Sequence, residues 1–562
     1  MAASVSVESL SFAYRGAQDK ALKNLEGRID EGAFVAVMGR SGAGKSTLCC
    51  AMNGLVPRFF RGTYKGRVCI RGKEVAQCGI AELARMVGLV LQDFEAQLFS
   101  TNVELEVAFG PENQRLPRHV IKERIDRYLT FVGLSALRRR DVATLSGGQK
   151  QRLAIGSILA MEPDVLVMDE PVTDLDPTGR EEILSVAGRL REEGRTLIVV
   201  DNEPENVARA DQVWLMRDGE IVGQDAPSAI FRNVPLLEAC GVMVPPLTLL
   251  FQALGWPGNP VTFDQGKRLI QTHGLAAGRR NNSLSGPLAR SVTTRGSKPL
   301  IEARGVSFRY PRSTVDSLKE VSVTIGEGEF VAVLGQNGSG KTTLAKHFNG
   351  LLRPTSGMML VNDKPTESYR KKDLARLVGY VFQNPDHQIF ASTVYDEVGF
   401  GLKMLGETGK AAQESVAEAL AATGLEGYEE RSPFVLTRGE RQRVAVASVL
   451  AVKPRVMVLD EPTTGLDYRH QLETMKMLKE LNRNGSTIII ITHSMWIVES
   501  FTSRTIVMEN GRVLADGATR AVFSDERTLS RASLVPSALT RLANWLDTAS
   551  LSVEGMAKEL RR

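Results

Sequence analysis

Short apolar runs punctuate the chain, with longer amphipathic stretches between them. Phe34–Met38, Val165–Met168 and Thr196–Val200 are rich in β-branched residues and apolar on both faces, as parallel strands covered by helices must be. "EEILSVAGRLREEG" at 181–194 and "QLETMKMLKELNRNG" at 471–485 have helical spacing. Each closes on a glycine able to take the left-handed cap conformation. The pattern predicts an α/β architecture.

The same order of elements is written twice. "FVAVMGRSGAGKSTL" from Phe34 returns as "FVAVLGQNGSGKTTL" from Phe330, an offset of 296, and "VLVMDEP" from Val165 returns as "VMVLDEP" from Val456, an offset of 291. The five extra residues of the first copy fall in "VPRFFRGTYKGR". Two homologous domains follow, rather than the many short units of a solenoid. We expect them at 1–264 and 300–562, with cores of about 4–230 and 300–525 and a small C-terminal extension on each. Residues 265–299 should form the tether, because 265–301 holds seven Lys/Arg and no Asp or Glu.

Composition narrows the class. A chain of 562 residues exceeds what one core supports. Its net charge of +5 is too small over that length to imply a nucleic-acid partner. The five cysteines lie in the first half without zinc-ligand spacing, which predicts buried thiols in a reducing compartment. The N-terminus has no secretion-signal layout. The longest apolar run, 242–256, is broken by Pro245 and Pro246, short of the roughly 20 residues that span a bilayer. A soluble chain is expected, though not one that works alone.

Two strings carry the chemistry. Gly39, Gly42, Gly44, Lys45 and Ser46 satisfy G-x-x-x-x-G-K-[ST], as do Gly335, Gly338, Gly340, Lys341 and Thr342. Each string follows an apolar strand and opens a helix, the setting in which backbone N–H groups cradle phosphates and the lysine meets the β/γ-phosphates. Ser46 and Thr342 would offer a hydroxyl to Mg²⁺, with Thr47 and Thr343 beside them at the nucleotide. Asp169-Glu170 and Asp460-Glu461 each end an apolar strand. The aspartate is placed to hold Mg²⁺ and the glutamate to orient or deprotonate a water.

With "LSGGQ" at 145–149 and strand-terminal "DEP" in order after the phosphate loop, each half resembles the nucleotide-binding domain of ATP-binding-cassette proteins. The resemblance implies two tandem P-loop ATPase domains, each with a helical signature subdomain, binding ATP with Mg²⁺. It likens Tyr14 and Tyr310 to the adenine-stacking aromatic, Gln92 and Gln383 to the Mg²⁺-sensing glutamine, and Asp176 and Asp467 to the dimer-contacting aspartate. "FQNPDHQIFASTVYDEVGFG", with its partial counterpart "LQDFEAQLFSTNVELEVAFG", resembles the glutamine-loop segment of energy-coupling-factor (ECF) ATPases. The C-terminal tails are similar to those that pack such ATPases together.

The resemblance further implies that the two domains pair head to tail, each ATP lying between one phosphate loop and the other domain's signature. Lys341, Asp460, Glu461 and the switch residue His493 would then face Ser146, Gly147, Gly148 and Gln149, a complete site. Lys45, Asp169 and Glu170 would face Thr437, Arg438, Gly439 and Glu440, with Asn202 at the switch position. Asparagine offers no imidazole. Arg438 should intrude where backbone approaches ATP, and Glu440 should bring negative charge toward the phosphates. One hydrolytic and one mainly nucleotide-holding site are expected, although Glu170 is intact.

These features imply the ATPase subunit of an ECF-type importer for a vitamin or transition-metal ion, peripheral at the cytoplasmic face of the cell membrane. Its partners would be a transmembrane coupling protein, docked beside Gln92 and Gln383 with Asp93, Glu95 and Asp386 as acidic acceptors, and a small membrane-embedded substrate-binding protein. Alternatives are the fused ATPase of a sugar importer and a soluble two-cassette translation factor. The latter is disfavoured by a linker that has Gly and Ser but no heptads.

Overall fold

The computed structural model describes residues 3–172, 175, 177–274, 298–311 and 313–561. The chain divides into two compact units, Met1–Leu269 with Asp467–Arg469, and Ile270–Leu466 with His470–Arg562. Four of the five cysteines are buried, Cys69 only partly, and all are free thiols. Burial pushes the Cys50 thiol up to about 11.

In the first unit a six-stranded sheet runs Glu220–Asp225, Gln212–Arg217, Phe34–Met38, Thr196–Val200, Val165–Asp169, Val87–Val90. All neighbours pair in parallel except the outer hairpin of Gln212–Arg217 with Glu220–Asp225. Phe34, Ala36 and Met38 enter one core layer and Val35 and Val37 the other. This is why the strand is apolar throughout: each alternate side chain has its own hydrophobic layer. A second, antiparallel sheet of Leu22–Asp30, Ala3–Tyr14, Gly62–Ile70 and Lys73–Glu74 shares the core around Val35 and Val37. Helices Val103–Asn113, Arg118–Phe131 and Gly147–Leu159 pack around Val107, Leu129 and Leu153.

The second unit repeats the plan. Its six strands run Val378–Val381, Val456–Asp460, Thr487–Ile491, Phe330–Gly335, Arg504–Glu509, Arg512–Ala518.

The tether expected from residue 265 does not begin there. Phe263–Thr272 is helical, and Gly266 lies against Leu247 while Leu269 fills the space beside Gly258. The basic residues there alternate with core-facing ones, so composition alone misread a packed helix as linker. The remainder, 275–297, is outside the described residues. The apolar run at 242–256 forms the helix Pro246–Leu254, which ends at Gly255 with φ 67°. Leu247, Leu250 and Phe251 of this helix are buried. No helix among the described residues is long and apolar enough to cross a membrane.

The second unit carries a buried charge cluster without a counterpart in the first. Arg504 donates to Glu329 at 2.8 Å and in two bonds to Asp516, both 2.7 Å. The Arg504 and Glu329 side chains are 5% and 6% exposed. Gln212 and Ala33 stand at the positions of the first copy that correspond to Arg504 and Glu329. Removing one partner of such a group leaves a desolvated charge unmatched. Arg504→Met should therefore destabilise the second unit by about 3–5 kcal/mol, read as a lower midpoint in denaturant unfolding of the full chain.

Candidate functional site

In each cassette the motif residues meet at the carboxyl ends of the parallel strands, where open α/β sheets bind ligands. The turn that begins each phosphate loop depends on glycine. Gly39 and Gly335 have φ of 151° and 148°, and a Cβ on either would overlap the carbonyl oxygen of Met216 or Met508 on the neighbouring strand. Gly44 and Gly340, at φ 99° and 101°, then lead into the helices Lys45–Asn53 and Lys341–Phe348.

The lysines fold back over the loop. Lys45 Nζ donates to the carbonyls of Gly39 at 2.7 Å and Arg40 at 3.0 Å, and Lys341 Nζ to those of Gly335 and Gln336, both at 2.8 Å. Burial lowers the Lys45 pKa, against the pull of the Glu170 and Asp169 carboxylates. The loops are thus anion cradles with a nearly dry cation at the base.

Asp169 and Asp460 are 4% exposed. Burial raises both pKa values, while hydrogen bonds from Ser46 and Thr342, respectively, pull them down. Asp169 Oδ1 is buried without a hydrogen-bond partner in the protein. Such an oxygen beside a hydroxyl, with a phosphate loop opposite, fits a Mg²⁺ held through phosphate, hydroxyl and water. Bound there, the ion would neutralise charge on the phosphates.

The next residue in each cassette is strained. Glu170 and Glu461 have φ of 50° and 49°, a left-handed conformation uncommon outside glycine. Their amides donate to Val200 and Ile491 across the strand ends, at 3.1 and 2.9 Å. Backbone held this way by its surroundings fixes where a side chain points.

Beyond these shared features the two sites differ. His493 Nδ1 lies 3.0 Å from Glu461 Oε1, so an imidazole can hold or exchange a proton with the carboxylate that would act on water. In the first cassette the Asn202 side-chain oxygen instead accepts from Gly39 N at 3.0 Å, and Gln92 donates to Glu170 at 2.9 Å. Gln383 is exposed after Val378–Val381.

Tyr380, which the sequence reading passed over, donates to Asp460 Oδ2 at 2.9 Å. Leu89 occupies that position in the first copy. Only the second cassette therefore secures its strand-terminal aspartate by a tyrosine on the neighbouring strand. The differing tyrosine and leucine in otherwise matched strands were the available signal.

Tyr14 and Tyr310 are held over the phosphate-loop helices. Their hydroxyls share hydrogen bonds with Thr47 at 3.0 Å and Thr343 at 3.3 Å. Both rings are a little over one-third exposed, open to stacking.

The signature strings begin helices. Ser146 caps Gly147–Leu159 in a capping box with Gln149. A Cβ on Gly147 would meet nothing within 4 Å, so no neighbour in the described structure requires this glycine, and its bare backbone is free for a ligand. Thr437 caps Arg438–Leu450 with Glu440 in the same roles, and Gly439 follows Arg438 in its first turn.

Two expectations change here. Glu440 does not project as a free charge: it accepts from Thr437 N and Oγ1, both at 2.8 Å, and from the Tyr428 hydroxyl at 2.9 Å. A carboxylate is favourable at a helix N-terminus. Arg438 lies against Gly465, where a Cβ would overlap its guanidinium; it covers its own cassette's backbone. Asp176 lies outside the described residues.

Beside each glutamine loop an aromatic pair faces solvent. Phe99 and Phe109 meet edge to face at 4.5 Å, Phe390 and Phe400 at 4.6 Å. The buried carboxylates of Glu106 and Glu397 hold these loops, accepting from Phe99 N and Ser100 N, and from Phe390 N and Ala391 N. In the second cassette a groove of about 470 Å³ lies nearby, lined by Leu351, Tyr369, Tyr380, Phe382 and Val452 among others. Of the acidic residues expected to await a partner, Glu95 is paired with Lys150 at 2.9 Å and Asp386 with Arg441 at 2.8 Å. Asp93 caps its own short turn.

Removing the Tyr380 hydroxyl should raise the proton affinity of Asp460 further, because burial then acts against one fewer hydrogen bond. Tyr380→Phe should shift the acid limb of the ATPase pH profile to higher pH and leave the alkaline limb in place, as measured by phosphate release across pH.

The family model described as "ABC transporter" matches residues 22–173 and 318–464. An ABC transporter ATP-binding protein of Caldanaerobacter subterraneus subsp. tengcongensis is 45% identical over 99% of this chain and 98% of its own length. One of Methanosarcina mazei is 39% identical over 98% and 95%. The solved structure of cbiO1 from Clostridium perfringens, described as part of the ABC transporter complex cbiONQ, is 36% identical and covers 44% of this chain and 99% of its own, with a TM-score of 0.39. With both cassettes matched and relatives aligned almost end to end, the chain belongs to the ABC transporter ATP-binding proteins, as a two-cassette ATPase that binds ATP with Mg²⁺ and hydrolyses it.

Proposed function

We propose that the chain is the energy-coupling ATPase subunit of an ECF-type importer for a vitamin or transition-metal ion, working at the cytoplasmic face of the cell membrane. The observation that carries this reading is the pair of aromatic faces beside the glutamine loops. The segment on which the ECF resemblance rests folds into a loop clamped by a buried carboxylate that leaves two phenylalanines exposed, once in each cassette. Exposed aromatic pairs on a clamped loop suit the apolar face of a partner helix. Arginines on such a helix would compete with Lys150 and Arg441 for Glu95 and Asp386. The small membrane-embedded substrate-binding protein would be reached through that transmembrane partner.

The catalytic roles follow the differences between cassettes. Domains at 1–264 and 300–562 would pair head to tail, so that Lys341, Thr342, Asp460, Glu461 and His493 work with Ser146, Gly147, Gly148 and Gln149. Glu461 would accept the proton of the attacking water, with His493 steadying the carboxylate and Tyr380 keeping Asp460 ionised. The opposite set, Lys45, Ser46, Asp169, Glu170 and Asn202 with Thr437, Arg438 and Gly439, would hold nucleotide with little turnover. Asn202 tied to Gly39 N and Glu170 tied to Gln92 support that reading.

In the purified transporter, Glu461→Gln should lower ATP turnover by roughly tenfold or more, whereas Glu170→Gln should leave a substantial part. Equal losses would refute the asymmetry. Phe99→Ala and Phe390→Ala should each weaken recovery of the transmembrane protein on affinity purification, by about 2 kcal/mol in binding if the rings are interface anchors. Undiminished recovery in the double variant would remove the support for docking there.

A further inference from the structure

The five residues by which the first copy exceeds the second carry Phe59 and Phe60, and the fold brings them beside the first nucleotide site. The segment is built rather than loose. Leu55–Arg58 forms a turn, and both Phe59 N and Phe60 N donate to Leu55 O, at 2.8 and 3.0 Å. The Arg58 guanidinium donates to the carbonyls of Val75 and Ala76 at 2.9 and 3.1 Å. Beyond it, Arg15 N donates to Arg61 O at 3.0 Å and Gly62 pairs with Tyr14. A Cβ on Gly62 would overlap the Ala13 carbonyl, so glycine lets this segment close onto the strand that carries Tyr14.

The result is a row of rings leading from the phosphate-loop helix to solvent. Phe12 and Tyr14 are 4.9 Å apart, Tyr14 and Phe60 6.3 Å with planes at 77°, and Phe60 and Phe59 5.1 Å. Tyr14 is anchored to Thr47, while Phe60 is 39% and Phe59 74% exposed. A half-open tyrosine with a second ring near-perpendicular beside it makes an aromatic corner, offering one π-face and one ring edge to a planar guest. In the second cassette the shorter loop, Leu352-Arg353-Pro354-Thr355, carries no ring, and the ring beside Tyr310 is Phe308 at 4.9 Å.

We propose that Phe60, backed by Phe59, forms a second wall of the adenine pocket whose first wall is Tyr14. The first cassette then grips the base of an adenine nucleotide in an aromatic corner that the second lacks. The inference rests on the reading of Tyr14 as the adenine-stacking residue. It gives the nucleotide-holding site a physical basis for retention: contact with the base is independent of the γ-phosphate, so it persists whether the tail is a tri- or a diphosphate.

The test uses the full chain carrying Lys341→Ala, so that binding reports the first phosphate loop, titrated calorimetrically with ATP and with inorganic tripolyphosphate. Phe60→Ala should weaken ATP binding roughly tenfold, the scale of a lost base–aromatic contact. It should leave tripolyphosphate affinity unaltered, and Phe60→Tyr should restore ATP affinity. Unchanged ATP affinity in Phe60→Ala, or equal loss of ATP and tripolyphosphate, would overturn the proposal. Tyr14→Ala separates the two layers of the argument. Loss of ATP affinity with Tyr14→Ala alone overturns only the Phe60 wall, and no loss with either variant overturns the adenine placement itself.

Discussion

At Gly39 and Gly335 the chain leaves its strand so close to the Met216 and Met508 carbonyls that a Cβ would overlap them. That approach turns the following amides toward one centre and sets the lysine of the next helix over the loop's own carbonyls. The loop could not take this shape on an isolated hairpin. It needs the neighbouring parallel strand on one side and the helix N-terminus on the other, and both are supplied only when the six-stranded sheet is assembled with hydrophobic layers on its two faces. The switch residues after the adjacent strand, and the carboxylates at the end of the strand beyond it, inherit their positions from the same sheet.

Once that frame exists, small substitutions at its edge alter the chemistry without disturbing the fold. Tyr380 against Leu89, His493 against Asn202 and Thr437-Arg438-Gly439-Glu440 against Ser146-Gly147-Gly148-Gln149 are all accommodated within the same elements. The second signature shows how. Glu440 replaces Gln149 in an identical capping box, and Arg438 finds room because Gly465 has no side chain. Meanwhile the aromatic pairs and the carboxylates that clamp their loops are kept in both copies. The cassettes differ in the residues around the phosphate loops and agree in this exposed aromatic face.

Much of this could be read from the chain. The apolar runs identified the central strands, because a strand buried on both faces has no room for alternation. The repeat offset identified two cassettes, and the phosphate loops and strand-terminal carboxylates were recognisable because their chemistry demands fixed residue types at fixed spacing. Other parts were not. In the antiparallel sheet of Ala3–Tyr14 and its neighbours the alternation of Val5, Val7, Leu10 and Phe12 is broken by a register shift between Val7 and Leu10, and the helix Phe263–Thr272 was hidden in a basic stretch whose apolar positions matter only once Leu247 and Gly258 lie beside it.

The sequence by itself therefore determined the fold class, the repeat and the places of the glycine-rich loops and strand-terminal carboxylates, since these depend on local pattern and on residue chemistry. Only the tertiary structure decided which way the variable side chains turn. Asn202 to the Gly39 amide, Glu440 into its own helix cap, Arg438 onto Gly465, Tyr380 onto Asp460 and Phe60 beside Tyr14 are all meetings of residues distant in the chain or free in rotamer. A side chain's partner is settled by which groups the packed backbone brings within a few ångströms, and no one-dimensional pattern records that.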